Sequence, residues 1–303
     1  MSAARTGLAA AFGALCVAAA GAACAQTIDG RFFASSDSDD FTETRVGIGY
    51  TAASGFGLTA GALRYRAPGW SESGASLLGT YAERGDARQI DASLGVLDLA
   101  GRQDLVGMLD ATWRWDGGHA LGVSLERFVV ASRGGIEDHI LYNVAALVGD
   151  WSFTPTFNVG LAGGLTHFSD GNDRPFLRTR WNIELDAQYG LNAYLKTRSY
   201  RNSEPGRPQY FSPERLDEAS LGLSARWLAI EGVVASFSLD AGRQSTDSGN
   251  ESIWSAFAGL SSPRRAPLRW SVGLLATNTA NLFTTQTGAY RYLSATAQVA
   301  VPF

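Results

Sequence analysis

The segment THFSDGNDRP, residues 166–175, holds side chains that could perform hydrolysis. His167 and Ser169 lie two residues apart, so on a continuing strand both would point to the same face. An imidazole beside a serine hydroxyl can act as the base that activates it as a nucleophile, and Asp170 or Asn172 would orient the ring. The alternative, which we favour, is a turn in which Asp170, Gly171 and Asn172 supply the geometry and His167 lies at the edge.

No other group of residues in the sequence predicts catalysis or metal binding. The three histidines, His119, His139 and His167, are few and scattered for a metal site. The sequence carries no phosphate-binding loop and no paired-carboxylate signature. We therefore predict no cofactor and no enzymatic activity, and we keep a hydrolase that uses His167 and Ser169 as the alternative.

The first 25 residues predict a secretory signal peptide. A basic residue, Arg5, precedes a short apolar core at 8–22, and the small residues of an Ala-Cys-Ala segment offer a cleavage site. Both cysteines, Cys16 and Cys24, lie in this segment, so we expect neither a disulfide nor a thiolate metal site in the mature part, 26–303. Removing Arg5 from the 25 basic residues leaves 24 against 29 acidic ones, a net charge of about −5, which argues against nucleic acid as a partner.

The elements that position the candidate residues are predicted to be long strands with two different faces. In RTRWNIELDAQYG, residues 178–190, polar and apolar side chains alternate over a length about twice that of a usual strand. Thirteen residues at about 3.3 Å each span roughly 40 Å, which suits a tilted strand that crosses a membrane. Trp181, Ile183 and Leu185 would then face lipid, while the polar side chains would line water.

Similar alternation recurs along the chain and predicts an all-β fold: a transmembrane antiparallel up-and-down β-barrel of about 16 strands. The predicted strands are 28–36, 42–53, 56–66, 75–84, 88–98, 104–116, 119–130, 138–149, 153–168, 175–190, 191–201, 218–230, 232–244, 250–262, 266–277 and 288–303. Tight connections alternate with longer ones, so the barrel should begin and end on the periplasmic side. The longer connections are predicted at 67–74, 99–103, 131–137, 169–174, 202–217, 245–249 and 278–287. The last strand ends in Phe303 and resembles the terminal signal of bacterial barrel proteins, so we predict the bacterial outer membrane, with its lipid as a partner.

Two motifs carry a more specific resemblance. FSDGNDR, residues 168–174, and YFSPERL, residues 210–216, resemble the barrels of the porins that export poly-N-acetylglucosamine and cellulose. The resemblance implies a 16-stranded pore that passes a hydrated exopolysaccharide. Those porins carry a helical-repeat region before the barrel, whereas strands are predicted here almost directly after the signal peptide. Either a separate periplasmic helical-repeat protein supplies that scaffold, or the barrel has another task. The His-x-Ser pair alone resembles outer-membrane phospholipases and lipid A deacylases.

The side chains predicted to face inward carry charges of both signs, which would solvate a neutral or weakly charged polymer without trapping it. The predicted pore-lining residues are Asp104, Asp110, Arg114, Glu126, Arg178, Arg180, Glu184, Asp186, Tyr194, Lys196, Arg198, Arg226 and Asp240. Tyr194 could stack on sugar faces, although we favour a role in which it only fills space. The loop 202–217, with three prolines, could act as a gate or be a surface loop that proline stiffens. The leading prediction is thus an exopolysaccharide export channel, with the lipid hydrolase or a general diffusion barrel as alternatives.

Overall fold

The computed structural model describes residues 25–263, 266–279 and 290–303. These residues form one closed barrel of 16 antiparallel strands, in which each strand pairs with its sequence neighbours and β1 pairs with β16. The predicted fold class and strand number are therefore confirmed. The predicted signal peptide, apart from Ala25, and most of the predicted connection 278–287 lie outside the described residues.

The strands are 9 to 16 residues long, the lengths expected of tilted membrane-crossing strands. Their bounds are β1 Ala25–Asp37, β2 Thr42–Ala52, β3 Phe56–Ala67, β4 Trp70–Arg84, β5 Arg88–Leu99, β6 Arg102–Trp115, β7 His119–Val129, β8 Leu141–Thr154, β9 Phe157–Phe168, β10 Asp173–Asp186, β11 Leu191–Arg201, β12 Arg215–Ile230, β13 Val233–Thr246, β14 Gly249–Ser261, β15 Arg269–Thr277 and β16 Tyr292–Pro302. In the described part of the chain, no helix is long and apolar enough to cross a membrane.

Three connections that were predicted to be long are tight turns. The expected loops at 67–74, 99–103 and 245–249 each shrink to two residues because the flanking strands extend further than the sequence pattern indicated. Left-handed backbone at Gly69 (φ 71°) and at Ala100 and Gly101 (φ 52° and 75°) makes two of these short turns sterically accessible. The external rim therefore has fewer long connections than predicted, and the two rims differ less in loop length.

The two faces of the strands are segregated as predicted. Trp181, Ile183 and Leu185 on β10 are exposed on the outer surface of the barrel. Arg178 and Arg180 occupy the alternate positions and line a cavity inside it. Because directly paired residues share a face, the antiparallel register extends each face to the neighbouring strands. The alternation in the sequence thus separates a lipid-facing surface from a wet lumen.

The connection between β7 and β8 folds into the barrel. Residues 130–140 include a short helix, α1 (Arg133–Glu137), whose N-cap residue Ser132 accepts a hydrogen bond from the Gly135 N–H at 3.0 Å. One side of this hairpin tip belongs to a buried apolar cluster with the barrel wall: Leu63, Tyr65, Leu97, Leu99, Val106, Val129, Ala131, Ile136 and Leu141. The other side joins a second cluster: Val130, Ile140, Tyr142, Phe168 and Tyr210. A longer connection was predicted at 131–137 and is present; the prediction did not include its burial of apolar side chains on both of its sides.

Residues 202–214, between β11 and β12, also turn inward. Tyr210 and Phe211 are buried, with Tyr210 in the second cluster and Phe211 packed beside Tyr200 and Leu216. Ser132 Oγ donates a hydrogen bond to the Gln209 carbonyl at 2.5 Å, which joins the two inward segments. We call residues 130–140 and 202–214 the two mouth segments.

Candidate functional site

The lumen is the candidate site, and a cavity inside it lies below the mouth segments. This mouth-side cavity has a volume of about 700 Å³ and is lined from opposite walls, by β1, β2 and β16 on one side and β7 to β11 on the other. Aromatic rings such as Tyr142, Tyr200 and Tyr292 alternate on its surface with charged groups such as Glu126. The surface therefore offers both apolar faces and hydrogen-bonding groups to a solute.

A second cavity, the central cavity, continues the path. It measures about 460 Å³ and shares Val148, Ala162, Arg178 and Arg198 with the mouth-side cavity. A solute that moves between the two cavities must therefore pass these side chains. A third, periplasmic cavity of about 370 Å³ lies near the short-turn rim. Three arginines, Arg31, Arg226 and Arg269, line it together with a single carboxylate, Asp29.

Charges in the central cavity are only partly compensated. Its lining contains four basic residues, Arg178, Arg180, Lys196 and Arg198, and two acidic ones, Asp150 and Glu218. Arg198 donates to both Glu218 oxygens, at 2.7 and 2.5 Å, and the Lys196 ammonium lies 3.0 Å from an Asp240 oxygen.

Arg178 and Arg180 form no ion pair within the described chain. The guanidinium of Arg178 lies over the ring of Phe176, and that of Arg180 donates to Asn182 at 2.8 Å. Carboxylates thus neutralise two of the four cations, and the wall formed by β10 keeps an excess of positive charge.

Tyr194 is held in place by its neighbours. Its hydroxyl donates to Asp240 at 3.0 Å, and the Arg180 guanidinium covers its ring at 3.9 Å from the centroid. The side chain is almost fully buried, at 4 % exposure. This arrangement agrees with the space-filling interpretation of Tyr194, because Arg180 covers its ring; other aromatic rings line the mouth-side cavity.

The remaining predicted pore-lining residues fall into two groups. Glu126 and Arg226 line cavities, and Asp110, Arg114 and Glu184 occupy inward positions of β6 and β10. Asp104, also at an inward position of β6, and Asp186, at the end of β10, are engaged by neighbouring groups. Asp104 lies 3.1 Å from His139 Nε2 beneath a mouth segment, and Asp186 caps the turn after β10 by accepting from the Gln188 and Tyr189 N–H groups at 2.8 and 3.1 Å.

The candidate hydrolytic residues are engaged separately. His167 Nδ1 lies 2.7 Å from Asp173 Oδ1, and Ser169 Oγ accepts a hydrogen bond from the Leu141 N–H at 3.0 Å. The chain reverses at Gly171, where φ is 92°, and Asp170 accepts from the Asn172 N–H at 3.2 Å. This geometry agrees with the turn interpretation, and it gives Ser169 a backbone partner instead of a base.

The two motifs of the predicted resemblance meet in one buried network, which we call the mouth cluster: Asp170, Asn172, Arg174, Asn202 and Tyr210. The Tyr210 hydroxyl donates to Asp170 at 3.0 Å and accepts from the Asn172 amide at 3.0 Å. The Asn202 side-chain oxygen accepts from both Asn172 and Arg174, at 3.0 and 2.7 Å. Sequence reasoning quoted both motifs but did not predict that they touch.

Arg174 is the buried cation of this cluster. Its second guanidinium nitrogen donates to the Phe211 carbonyl at 2.6 Å, and the aromatic rings of Tyr200 and Phe168 lie 4.6 and 5.0 Å away. Within the described residues a carbonyl, an amide and ring faces, instead of a carboxylate, stabilise this charge. Burial raises the pKa of the Tyr210 phenol well above its ordinary value, and the Asp170 carboxylate raises it further, so Tyr210 donates to Asp170 as a neutral group.

Comparison with known proteins relates the fold of the chain to that of a solved outer-membrane barrel. No protein-family model and no curated protein sequence matches it significantly. Among solved structures, it is similar to a bacterial polysaccharide outer membrane secretin, with a TM-score of 0.70 and 15 % identity over 91 % of this chain and 98 % of that one. It also aligns with OccD3 (OpdP) of Pseudomonas aeruginosa, with a TM-score of 0.49 and 10 % identity over 93 % of this chain and 92 % of that one.

The closed barrel, its lipid-facing surface and its wet lumen define a porin-like channel of the bacterial outer membrane. The fold that it shares with the polysaccharide secretin extends along almost the whole described chain.

Proposed function

We propose that this barrel is a conduit that exports an exopolysaccharide across the outer membrane. The observation that carries the proposal is the lining of the connected mouth-side and central cavities, where aromatic rings stand beside carboxylates, guanidiniums and an ammonium. A sugar ring offers C–H faces that contact aromatic rings and hydroxyls that hydrogen-bond to charged groups. The similarity to a polysaccharide secretin supports the same substrate class.

Pairing of charges in the lumen suits a polymer that must keep moving. Lys196 is paired with Asp240, and Arg198 with Glu218, so each pair presents donors and acceptors with little net field. Such pairs bind each hydroxyl weakly and release it to the next position, whereas a strong single-sign field would retain a charged solute. The open charges of Arg178 and Arg180 add a preference for a polymer that carries some negative charge.

The mouth segments favour a dedicated conduit over a general diffusion barrel. Their apolar clusters and the mouth cluster fix two folded segments in the opening. A small solute makes too few contacts with these segments to displace them. A polymer that already occupies the lumen contacts the segments from below and can shift their packing. The proposal includes a separate periplasmic helical-repeat protein that delivers the polymer to the short-turn rim.

Planar-bilayer recording of the refolded mature chain tests the proposal. We expect ionic conductance that neutral and acidic oligosaccharides block in a length-dependent way, because longer chains occupy more of the lining. Conductance that is indifferent to every oligosaccharide would support a general diffusion barrel instead. An electrically silent protein whose variants with a loosened mouth are also silent would contradict a conduit altogether.

A further inference from the structure

Two arginines face each other on the lipid-facing surface near the external rim. Arg201 at the end of β11 pairs directly with Arg215 at the start of β12, and both side chains are exposed. They share the face of Leu195 and Leu221, which are paired on the same two strands and project toward lipid. Like charges directly opposite each other destabilise a sheet, so a negatively charged group beside this pair would stabilise it.

The protein supplies one carboxylate to a group of three arginines. Asp217 forms an ion pair with Arg215 and lies diagonally from Arg201 in the β11–β12 register. Arg243 on β13 is exposed on the same face and diagonal to Asp217, because it pairs with Ala219. Among the described residues neither Arg201 nor Arg243 has an ion-pair partner. We call Arg201, Arg215 and Arg243 the rim arginines. Asp217 pairs with Arg215, and Asp173, which lies diagonally from Arg201 on β10, is engaged by His167, so Arg201 and Arg243 remain without an ion-pair partner in the described chain.

The height of Arg201 and Arg215 matches a lipid headgroup. Arg201 lies six residues beyond Leu195 along β11, about 20 Å along the strand and about 15 Å along the barrel axis at a tilt of about 40°. The side chains between them on this face, Thr197 and Ser199, become progressively polar. Arg201 and its partner Arg215 therefore stand toward the external edge of the apolar band, where a charge is tolerated in a membrane. Arg243 pairs with Ala219 and lies deeper along the same face.

The two rims differ in the side chains that they present to the bilayer. Six exposed outward aromatics lie near the short-turn rim, whereas Trp254 lies toward the external rim. The six are Phe56, Trp113, Trp115, Phe153, Tyr189 and Phe303. Near the external rim the exposed outward positions include arginines: Arg64, Arg66, Arg201, Arg215 and Arg243. Aromatic side chains suit an ordinary phospholipid interface, whereas guanidiniums suit a surface rich in anionic groups.

We propose that the rim arginines bind the phosphate of an outer-leaflet lipid. The planar fork of a guanidinium matches phosphate oxygens in a bidentate arrangement, and a doubly charged phosphate would neutralise the two remaining positive charges. The acyl chains of the same lipid would lie along the apolar face below, beside Leu195 and Leu221. The ligand is thus a phosphorylated lipid, and its place is outside the barrel, separate from the conduit.

Native mass spectrometry of the refolded mature chain in detergent tests this site with lipid A as the probe. We expect the wild-type barrel to retain lipid A, and the Arg201→Gln/Arg215→Gln/Arg243→Gln variant to bind it roughly tenfold more weakly. The single variant Arg201→Gln, which breaks no ion pair, should lose part of the affinity. Arg88→Gln is the matched control, because Arg88 is an exposed arginine at the opposite rim that Glu83 already engages at 2.9 and 2.8 Å.

Two further probes define the ligand. Lipid A from which the phosphates have been removed should bind the wild type no better than the triple variant. Inorganic phosphate should compete only at concentrations far above that of lipid A, because it lacks acyl chains. Equal retention of lipid A by wild type and triple variant, with both shown to be folded by heat-dependent gel mobility, would overturn the proposal, and so would equal binding of the dephosphorylated lipid.

Discussion

The rings of Phe168 and Tyr210 stack with their centroids 4.4 Å apart and their planes 10° from parallel. Phe168 ends strand β9, and Tyr210 lies in the mouth segment 202–214. This contact therefore attaches a connection between strands to the barrel wall. Hydrogen bonds from Tyr210 to Asp170 and from Asn172 to Tyr210 fix the same ring at its polar end. One side chain therefore joins the apolar and the polar contacts that hold the mouth in its present arrangement.

Replacing Tyr210 with Ala should open the mouth. The variant loses the stacked ring and leaves the Asn172 amide with one partner fewer, so we expect larger or more frequent open states in single-channel recordings. Tyr210→Phe keeps the stacked ring and loses the hydrogen bonds, so its conductance should lie between those of the wild type and Tyr210→Ala. Tyr189→Ala, which removes an exposed tyrosine at the other rim, is the control. Unchanged conductance of Tyr210→Ala would show that the segment does not limit the passage.

Alkaline pH should loosen the same contact. The pKa of Tyr210 is raised in the folded protein from an ordinary value near 10.0, chiefly by burial. Its contribution to stability is therefore fully present below about pH 10 and is lost as pH rises above that value, where the unpacked phenol ionises first. We expect conductance to increase above about pH 10 in the wild type, and the increase to be smaller in Tyr210→Phe. A Tyr210→Phe profile identical to the wild type would assign the effect to other groups.

Arg178 and Arg180 should make the conduit prefer anions. Both face the central cavity without a carboxylate partner in the described chain, so they raise the local concentration of negative ions. The Arg178→Gln/Arg180→Gln variant should lose much of the anion preference measured as a reversal potential across a salt gradient. Arg88→Gln, which removes a charge at the outer surface of the short-turn rim, should leave it unchanged. Cation preference in the wild type would show that the acids of the lumen dominate.

Charge should be costly on one face of β12 and harmless on the other. Leu223 projects toward lipid near the middle of the strand, and Leu223→Arg should lower the free energy of unfolding by about 2–4 kcal/mol. The neighbouring Ser224 faces the lumen, so Ser224→Arg should change it far less. Urea unfolding of the two variants in lipid vesicles, followed by tryptophan fluorescence, measures the difference. Equal losses would contradict the assignment of the faces.

Ser169 and His167 should not hydrolyse lipid. Among the described residues no hydrogen bond joins His167 to Ser169: the serine is bound to the Leu141 backbone and the histidine to Asp173, so Ser169 lacks the direct contact with a base that would activate it. We expect phospholipid hydrolysis by the wild type to equal that of Ser169→Ala in a vesicle assay. Activity that disappears in Ser169→Ala and His167→Ala would restore the hydrolase interpretation.

The barrel could be predicted from the sequence because its main signal is local. Alternation over residues 178–190 assigns Trp181 and Arg180 to opposite faces without knowledge of any partner strand, and the same rule applied repeatedly gives the strand number. Strand ends were less accurate, since a turn such as Ala100-Gly101 is defined by backbone angles that the alternation does not encode.

The mouth could not be predicted because it depends on contacts between distant residues. Asn172 and Tyr210 are 38 positions apart, and either one alone resembles an ordinary turn or loop residue. A weak signal was present in Ile136, an apolar side chain inside the predicted connection 131–137, which is unusual for a loop in water. The pairing of lumen charges was equally hidden, because the partner of Lys196 is Asp240, two strands away.

The pairing of β1 with β16, which includes Thr27 and Pro302, means that the barrel closes only when both ends of the chain have folded. β1 finds its second neighbour only when β16 arrives, so a shorter intermediate keeps two unpaired strand edges that can recruit other chains. Whatever inserts this protein must therefore shield the first strand until the final one has been delivered. The risk of aggregation is therefore highest before membrane insertion is complete, and it is removed once β1 pairs with β16.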